Sequence, residues 1–156
     1  VPFITPQEAP DKTTEIRIFL TNGDPVRIEC EDQITQGSVN ILRKLNELGS
    51  INGIGIVDLV ETNIDGTKSR GVYITPGGAI LHVAHFDLGS NVLTGSEIER
   101  REILSSRFAR LAYNGLWFSN EMSDVMSEVD SYQHKITGSV SLGLYKGNVI
   151  IHGRKA

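Results

Sequence analysis

The sequence predicts an α+β domain in which an antiparallel or mixed sheet of hairpins packs against helices. Two observations lead to this prediction. The apparent element order is strands, helix, strands, helices, strands, and hairpin signals outnumber strand–helix–strand crossovers. A third observation sets the scale, because 156 residues with a net charge of −4 and ordinary apolar content fit one globular domain.

The first 13 residues differ in composition from the rest of the chain. They contain three of the five prolines and little apolar periodicity, which predicts an interdomain lead-in over residues 1–13 and one domain over residues 14–156. Because the chain begins with Val1 rather than methionine, we expect it to be a cut or expressed piece of something longer.

Composition also narrows the cellular setting and the partners. The lone Cys30 allows no intrachain disulfide and fits a reducing cytosol, so we expect a cytoplasmic protein. The acidic net charge argues against a nucleic-acid partner. No apolar run approaches the length of a membrane span, and no signal peptide is recognisable, so we expect no membrane partner.

Two segments have the alternation typical of β-hairpins. In TEIRIFLTNGDPVRIEC, Ile16, Ile18 and Leu20 alternate with other residues before Asn22-Gly23, where positive φ is easily adopted. In TGSVSLGLYKGNVIIHGRK, a similar alternation surrounds the turn Lys146-Gly147-Asn148. We therefore predict one hairpin near each end of the chain.

Four segments predict helices. GSVNILRKLNELG begins with a potential cap at Ser38, ends at Gly49 and repeats apolar residues every three positions, and GGAILHVAHFDL follows Pro76. Ser96 and Glu99 fit a capping box before IERREILSSRFARLAYNG, and Ser119 fits a cap for the next helix. The apolar positions that we expect on the inner faces of the first, third and fourth helices are Val39, Leu42, Leu45, Leu48; Leu104, Phe108, Leu111, Ala112; and Met122, Val125, Met126, Val129.

The aromatic segment SRFARLAYNGLWFS allows two interpretations. Its aromatic rings and interleaved arginines resemble a stacking surface for single-stranded nucleic acid. The acidic chain favours burial instead, so we predict Phe108, Leu111 and Trp117 to be core residues.

The middle of the chain carries a more unusual pattern. GIGIVDLVE is nearly all apolar, which predicts a strand covered on both faces, followed by the turn NIDGTKS and the strand RGVYITP. Lys68 and Arg70 stand beside Ser69 and Gly71, a set that suits an anion, although a solvated turn explains these cations equally well.

Glu61 and Tyr73 bracket this turn, and their relation depends on strand register. A hairpin centred on Thr67 places them opposite each other, as a carboxylate acceptor and phenol donor able to hold an amino acid. A hairpin centred on Asp65-Gly66 instead pairs Glu61 with Arg70 as a cross-strand ion pair. The sequence leaves both registers open.

Motifs for other chemistries are missing or weak. The sequence has no GxxxxGK[ST], no GxGxxG and no recognisable nucleophile elbow. His82 and His85, with Asp87 nearby, have a spacing compatible with a metal, but no third ligand is nominated. We therefore predict ordinary surface or hydrogen-bonded histidines and no metal site.

Four blocks together resemble the second domain of the argininosuccinate synthase family. They are GIGIVDLVE, GTKSRGVYITPGGAILHVAH, LAYNGLWFS and TGSVSLGLYKGNVIIHGRK, and the lead-in ITPQEAPDK is similar to the family's domain-joining segment. The resemblance runs in order through almost the whole chain. It implies the α+β synthetase domain of a ligase that uses ATP to join citrulline to aspartate through citrullyl-AMP.

The resemblance also implies a division of labour. Glu61 and Tyr73 match the family's citrulline-binding residues, Lys68 and Arg70 are candidates for lining the pocket or facing phosphates, and no catalytic residue is expected in this portion. ATP, Mg²⁺ and aspartate would be bound mainly by an N-terminal nucleotide-binding domain, with a C-terminal arm forming a tetramer. We therefore expect this portion alone to bind no cofactor and to be inactive.

Three positions depart from the family pattern: Thr62 replaces Asn, Ile74 replaces Glu, and Asn120 replaces Pro. Ile74 adjoins the matched tyrosine and is compatible with a divergent pocket. Two alternatives to a ligase domain therefore stay open, an inactive structural or oligomerisation module with Trp117 as an anchor and a divergent domain that binds an amino acid.

Overall fold

The structure is a computed structural model that describes residues 2–156. It confirms the predicted α+β class, with four helices and seven strands in these residues. Every strand pairing within these residues is antiparallel. The elements are β1 (Thr14–Thr21), β2 (Asp24–Cys30), β3 (Gln33–Gln36), α1 (Ser38–Ile51), β4 (Ile56–Thr62), β5 (Lys68–Ile74), α2 (Pro76–Val92), α3 (Gly95–Tyr113), α4 (Asn120–Gln133), β6 (Gly138–Tyr145) and β7 (Asn148–Lys155).

The two predicted hairpins at the ends of the chain form the main sheet. Its strand order is β3-β2-β1-β6-β7, so the first and last hairpins pair through β1 and β6. Ile18 of β1 pairs with Val140 of β6, and both side chains are fully buried. Because side chains alternate between the two faces of a strand, Ile16, Leu20, Leu142 and Leu144 enter the same core. Strand β3 was not predicted.

Helices α1 and α2 pack against each other and cover the sheet. Helix α1 contacts β2 and β3, while α2 contacts β6 and β7. The two helices approach so closely that a β-carbon at Gly49 would lie 2.6 Å from Pro76. The glycine therefore serves close packing within the helix, which continues to Ile51, and the prediction that Gly49 ends α1 was wrong.

The inner face of α1 also differs from the prediction. Ile41, Leu45 and Leu48 are buried, whereas Val39 and Leu42 are 67% and 44% exposed. A strict three-residue repeat drifts around a helix with 3.6 residues per turn, so half of the predicted stripe faces outward. The helix has Gly37 at its N-cap and no side-chain cap, which corrects the proposed role of Ser38.

Side-chain caps fix the residues at which α3 and α4 begin. The capping box before α3 is formed by Thr94 and Glu97, two residues earlier than the predicted Ser96 and Glu99. The predicted cap of α4 is confirmed, because the Ser119 side chain accepts a hydrogen bond from the Met122 amide. Of the residues predicted on the inner faces of α3 and α4, those that are buried are Leu104, Leu111, Met122 and Val125.

The aromatic segment at the end of α3 is only partly in the core. Leu111 is buried and Phe108 is half-buried, but Trp117 is 52% exposed and Phe118 is 97% exposed. Trp117 packs its ring edge-on against Phe108, with ring centroids 5.6 Å apart. The prediction of a core Trp117 was therefore wrong.

Strands β4 and β5 form a separate two-stranded sheet. The apolar strand β4 was predicted to be covered on both faces, yet Ile56, Leu59 and Val60 are 48%, 38% and 68% exposed. Helices and the main sheet of the described residues leave both faces of this hairpin open, which corrects that prediction.

The segment before β1 is attached to the domain. The Ile4 amide donates to the Ser50 carbonyl at 3.0 Å, and Ala9 is buried. Its role as an interdomain lead-in stays a prediction. In the part of the chain that the structure describes, no helix has the length and apolar composition needed to cross a membrane.

Candidate functional site

Glu61 and Tyr73 meet on one face of the β4–β5 hairpin. The Tyr73 hydroxyl donates a hydrogen bond to Glu61 Oε2 at 2.7 Å. Glu61 is half-buried and Tyr73 is 43% exposed, so neither group is sealed in the apolar core. The structure therefore brings together the two residues that the sequence singled out, at a surface that a ligand can reach.

The strand register differs from both predicted alternatives. Glu61 pairs with Ser69, and Tyr73 pairs with Val57. The hairpin is thus centred on Asp65, which separates Glu61 and Tyr73 along the sheet instead of placing them opposite each other. They still share a face because Tyr73 lies four residues after Ser69, an even number of positions.

Three further polar residues extend this face towards the hairpin turn. Asn63 Oδ1 is 3.4 Å from Ser69 Oγ and 3.4 Å from the Tyr113 hydroxyl. Tyr113 is the last residue of α3, so this helix brings a second phenol to the site. Even-numbered spacing from Tyr73 would have identified Ser69, but no sequence signal connects Tyr113 to a hairpin 50 residues earlier.

Hydrogen bonding to Glu61, followed by desolvation and by the negative charge of Glu61, raises the pKa of Tyr73 above its usual value. The cause is that the donated proton is stabilised by the carboxylate acceptor. At neutral pH the pair therefore consists of a protonated phenol and its acceptor. In such a pair the carboxylate accepts one hydrogen bond and can accept more, and the phenol oxygen can also still accept.

Lys68 and Arg70 lie on the opposite face of the hairpin. Arg70 pairs with Val60, and its Nε donates to Asp58 Oδ1 at 2.8 Å. This hydrogen bond is the main reason why the pKa of Asp58 is lowered. Lys68 donates to the Thr62 hydroxyl on the same face. The structure therefore does not bring these cations together with Glu61 and Tyr73.

The hairpin turn is held by its own side chains. Asp65 Oδ1 accepts hydrogen bonds from the Thr67 amide at 3.0 Å and from the Thr67 hydroxyl at 2.7 Å. Gly66 has φ +85°, which suits glycine at this position. The carboxylate thus occupies the Thr67 amide that an anion would need, so the turn does not form an anion-binding loop of backbone amides.

The histidines of α2 make separate contacts. His85 Nε2 lies 2.9 Å from Gln133 Oε1, and burial lowers the pKa of His85 despite this hydrogen bond. Asp87 accepts two hydrogen bonds from Arg154 of β7, at 2.7 and 2.6 Å. Across residues 2–156, no group of three or more histidine, cysteine or acidic residues is arranged to hold a metal ion.

Comparison with known proteins identifies the family of this hairpin-bearing domain. The family model described as the arginosuccinate synthase C-terminal domain matches residues 3–156. The argininosuccinate synthase of Granulibacter bethesdensis is 48% identical over 153 residues, which cover 98% of this chain. The chain belongs to the argininosuccinate synthase family.

Other members of the argininosuccinate synthase family are similarly close. The proteins of that name from Leptospira biflexa and Caulobacter vibrioides are 44% and 45% identical, each over 98% of this chain. The chain spans only 36% to 37% of the length of these relatives. The matched portion contains the whole β4–β5 hairpin, including Glu61 and Tyr73.

Proposed function

We propose that this chain is the synthetase-domain portion of an ATP-dependent ligase that condenses citrulline with aspartate, and that Glu61 and Tyr73 bind citrulline. The observation that carries the proposal is the 2.7 Å hydrogen bond between these two side chains on an accessible face. Membership of the argininosuccinate synthase family supports the reaction. The wider assignment to arginine and amino-acid biosynthesis rests on the same membership.

The chemistry of the pair suits an amino-acid substrate. Glu61 Oε2 accepts from Tyr73, and within the described residues no hydrogen bond occupies Glu61 Oε1. Citrulline offers an α-ammonium group and ureido N–H groups, all of which donate hydrogen bonds, and a hydrogen bond to a charged group is among the strong ones. Glu61 would accept from such donors while Tyr73 fixes the carboxylate's orientation.

The remaining substrates belong to other parts of the proposed enzyme. ATP, Mg²⁺ and aspartate would be bound mainly by a separate nucleotide-binding domain of the whole enzyme. This chain would contribute substrate-binding residues and no catalytic residue, and alone it would be inactive. Assembly with that domain and with further copies of the protein, as a tetramer, belongs to the same proposal.

Steady-state kinetics of Glu61→Ala in the full-length protein test the proposal. Removing a group that binds only citrulline should raise the KM for citrulline at least about tenfold, which is equivalent to about 1.4 kcal/mol. The KM for ATP should change little. Asp58→Asn is the matched control, because Asp58 lies on the opposite face of the same hairpin. Equal effects of the two substitutions on citrulline would refute the site.

One observation favours a second candidate function, that of an interaction module. Phe118 is 97% exposed beside the half-exposed Trp117, and exposed aromatic residues often anchor protein interfaces. Sedimentation equilibrium of the chain and of Phe118→Ser distinguishes the candidates when combined with citrulline calorimetry. The interaction module would be favoured over the ligase by two results together. The chain would self-associate and Phe118→Ser would not, and the full-length protein would give no heat of binding with citrulline.

A further inference from the structure

Gly71 lies between Ser69 and Tyr73 on the face of β5 that carries the site. It pairs with Leu59 of β4, and its empty side-chain position is covered by the Tyr73 ring. A β-carbon at position 71 would lie 2.4 Å from Tyr73 Cε2 and 2.7 Å from the Tyr73 hydroxyl oxygen. The ring therefore lies along the strand, over the glycine, instead of standing away from the sheet.

This orientation is what allows Tyr73 to reach Glu61. Glu61 pairs with Ser69, four residues from Tyr73, which corresponds to about 13 Å along a strand that rises about 3.3 Å per residue. Side chains that stand perpendicular to a sheet do not meet across that distance. The 2.7 Å hydrogen bond therefore depends on the phenol folding back along β5.

The backbone conformation does not explain why position 71 is a glycine. Gly71 is absent from the glycines with positive φ among residues 2–156, so its extended conformation is open to any residue. Tyr73 is the first group that a side chain at position 71 would meet, because the three nearest atoms to a β-carbon there all belong to Tyr73. A side chain at this position would thus act on Tyr73 before anything else.

We propose that Gly71 is a positioning residue that holds the Tyr73 hydroxyl against Glu61. Any side chain at position 71 displaces the ring, breaks the hydrogen bond and leaves Glu61 without its partner. The consequence for citrulline rests on the function proposed above, whereas the geometric role of Gly71 does not.

The test compares Gly71→Ala with Gly153→Ala in the full-length protein. Gly153 is also a strand glycine without positive φ, and nothing lies within 4 Å of its β-carbon position. Proteins labelled at tyrosine ¹³Cζ are titrated by NMR, and the signal that disappears in Tyr73→Phe is assigned to Tyr73. We expect the pKa of Tyr73 to fall in Gly71→Ala and to stay unchanged in Gly153→Ala.

Kinetics then connect the geometry to the substrate. Gly71→Ala should raise the KM for citrulline about as much as Tyr73→Phe, and the double variant should resemble either single variant, because both changes remove one interaction. An unchanged Tyr73 pKa in Gly71→Ala, or effects of the two substitutions that simply multiply, would overturn the positioning role. A lowered Tyr73 pKa with unchanged citrulline KM would support that role and refute the citrulline site.

Discussion

The two sheets of this domain contain similar apolar residues but bury them very differently. In the main sheet Leu142 is fully buried on β6, the strand that α2 contacts, whereas Leu59 of the β4–β5 hairpin is 38% exposed. Ile18 and Val60 show the same contrast, at 0% and 68% exposure. The difference teaches that the apolar composition of a strand does not by itself predict whether the strand is covered within its own domain.

The hairpin also differs in what its polar residues do. Its two faces carry a phenol–carboxylate hydrogen bond and an arginine–aspartate ion pair, both open to solvent. The main sheet instead contributes seven buried side chains to the hydrophobic core of the described residues, all of them from β1, β2 and β6, whereas the hairpin contributes none. Folding stability should therefore depend on the main sheet and the helices packed on it more than on the hairpin.

The largest expected effect comes from the same substitution in both sheets. Leu142→Ala should lower the free energy of unfolding by about 3 kcal/mol, since it leaves a cavity in a fully packed core. Leu59→Ala should lower it by less than about 1 kcal/mol, because water already reaches that side chain. Urea unfolding of both variants measures the difference, and equal losses would contradict this assignment of stability.

A smaller effect on the free energy of unfolding, of opposite sign, is expected when the buried Arg101 is replaced. Arg101 of α3 is only 9% exposed, and its Nη1 and Nη2 have no hydrogen-bond partner within residues 2–156. Its guanidinium lies over the Phe86 ring, 4.5 Å from the centroid. Replacing such a buried cation by an apolar side chain removes a desolvation cost, so Arg101→Met should raise the free energy of unfolding by about 1 kcal/mol.

The matched substitution for Arg101→Met lies in the hairpin. Arg70→Met removes an exposed ion pair with Asp58 and should leave the urea midpoint unchanged or slightly lower. Stabilisation by Arg70→Met, or destabilisation by Arg101→Met, would show that burial does not separate the two arginines energetically.

The smallest expected effect is that of Glu97→Gln on the pH dependence of unfolding in acid. Lys135, and then the Thr94 cap, lower the pKa of Glu97 from 4.5 to about 2. Because the folded-state pKa is depressed, this stabilisation is complete above about pH 4.5 and is lost as the pH falls towards 2. Thermal unfolding between pH 2 and 6 should therefore become less pH-dependent in Glu97→Gln.

Asp58→Asn is the hairpin counterpart of that acid experiment. The pKa of Asp58 is also lowered, by Arg70, but the pair lies outside the packed core. We expect its removal to leave the acid dependence of global unfolding unchanged. A flattening as large as that of Glu97→Gln would indicate that the hairpin and the core unfold as one unit.

The parts of the fold that the sequence predicted correctly depend on local patterns. The hairpins β1–β2 and β6–β7 follow from strict alternation and from turn residues such as Asn22-Gly23, which both adopt positive φ. Continuous apolar runs carry less information, because GIGIVDLVE specifies a strand without specifying a covering layer. The exposure of β4 therefore could not be read from its residues.

The candidate site was predictable in its residues but not in its geometry. Glu61 and Tyr73 were singled out by chemistry and by family resemblance, yet their register was open between alternatives that both proved wrong. The contributions of Gly71 and Tyr113 depend on how a ring folds and on where a distant helix ends. Such long-range relations leave no periodic trace in a single sequence.

The strand order of the β4–β5 hairpin leaves two open strand edges, which favour aggregation. Each of its strands pairs only with the other in the described residues, so the outer edge of each offers unsatisfied amide and carbonyl groups next to apolar side chains. Edges of this kind recruit strands from neighbouring molecules. Concentrated solutions of this chain should therefore aggregate by intermolecular strand addition while the main sheet is still folded.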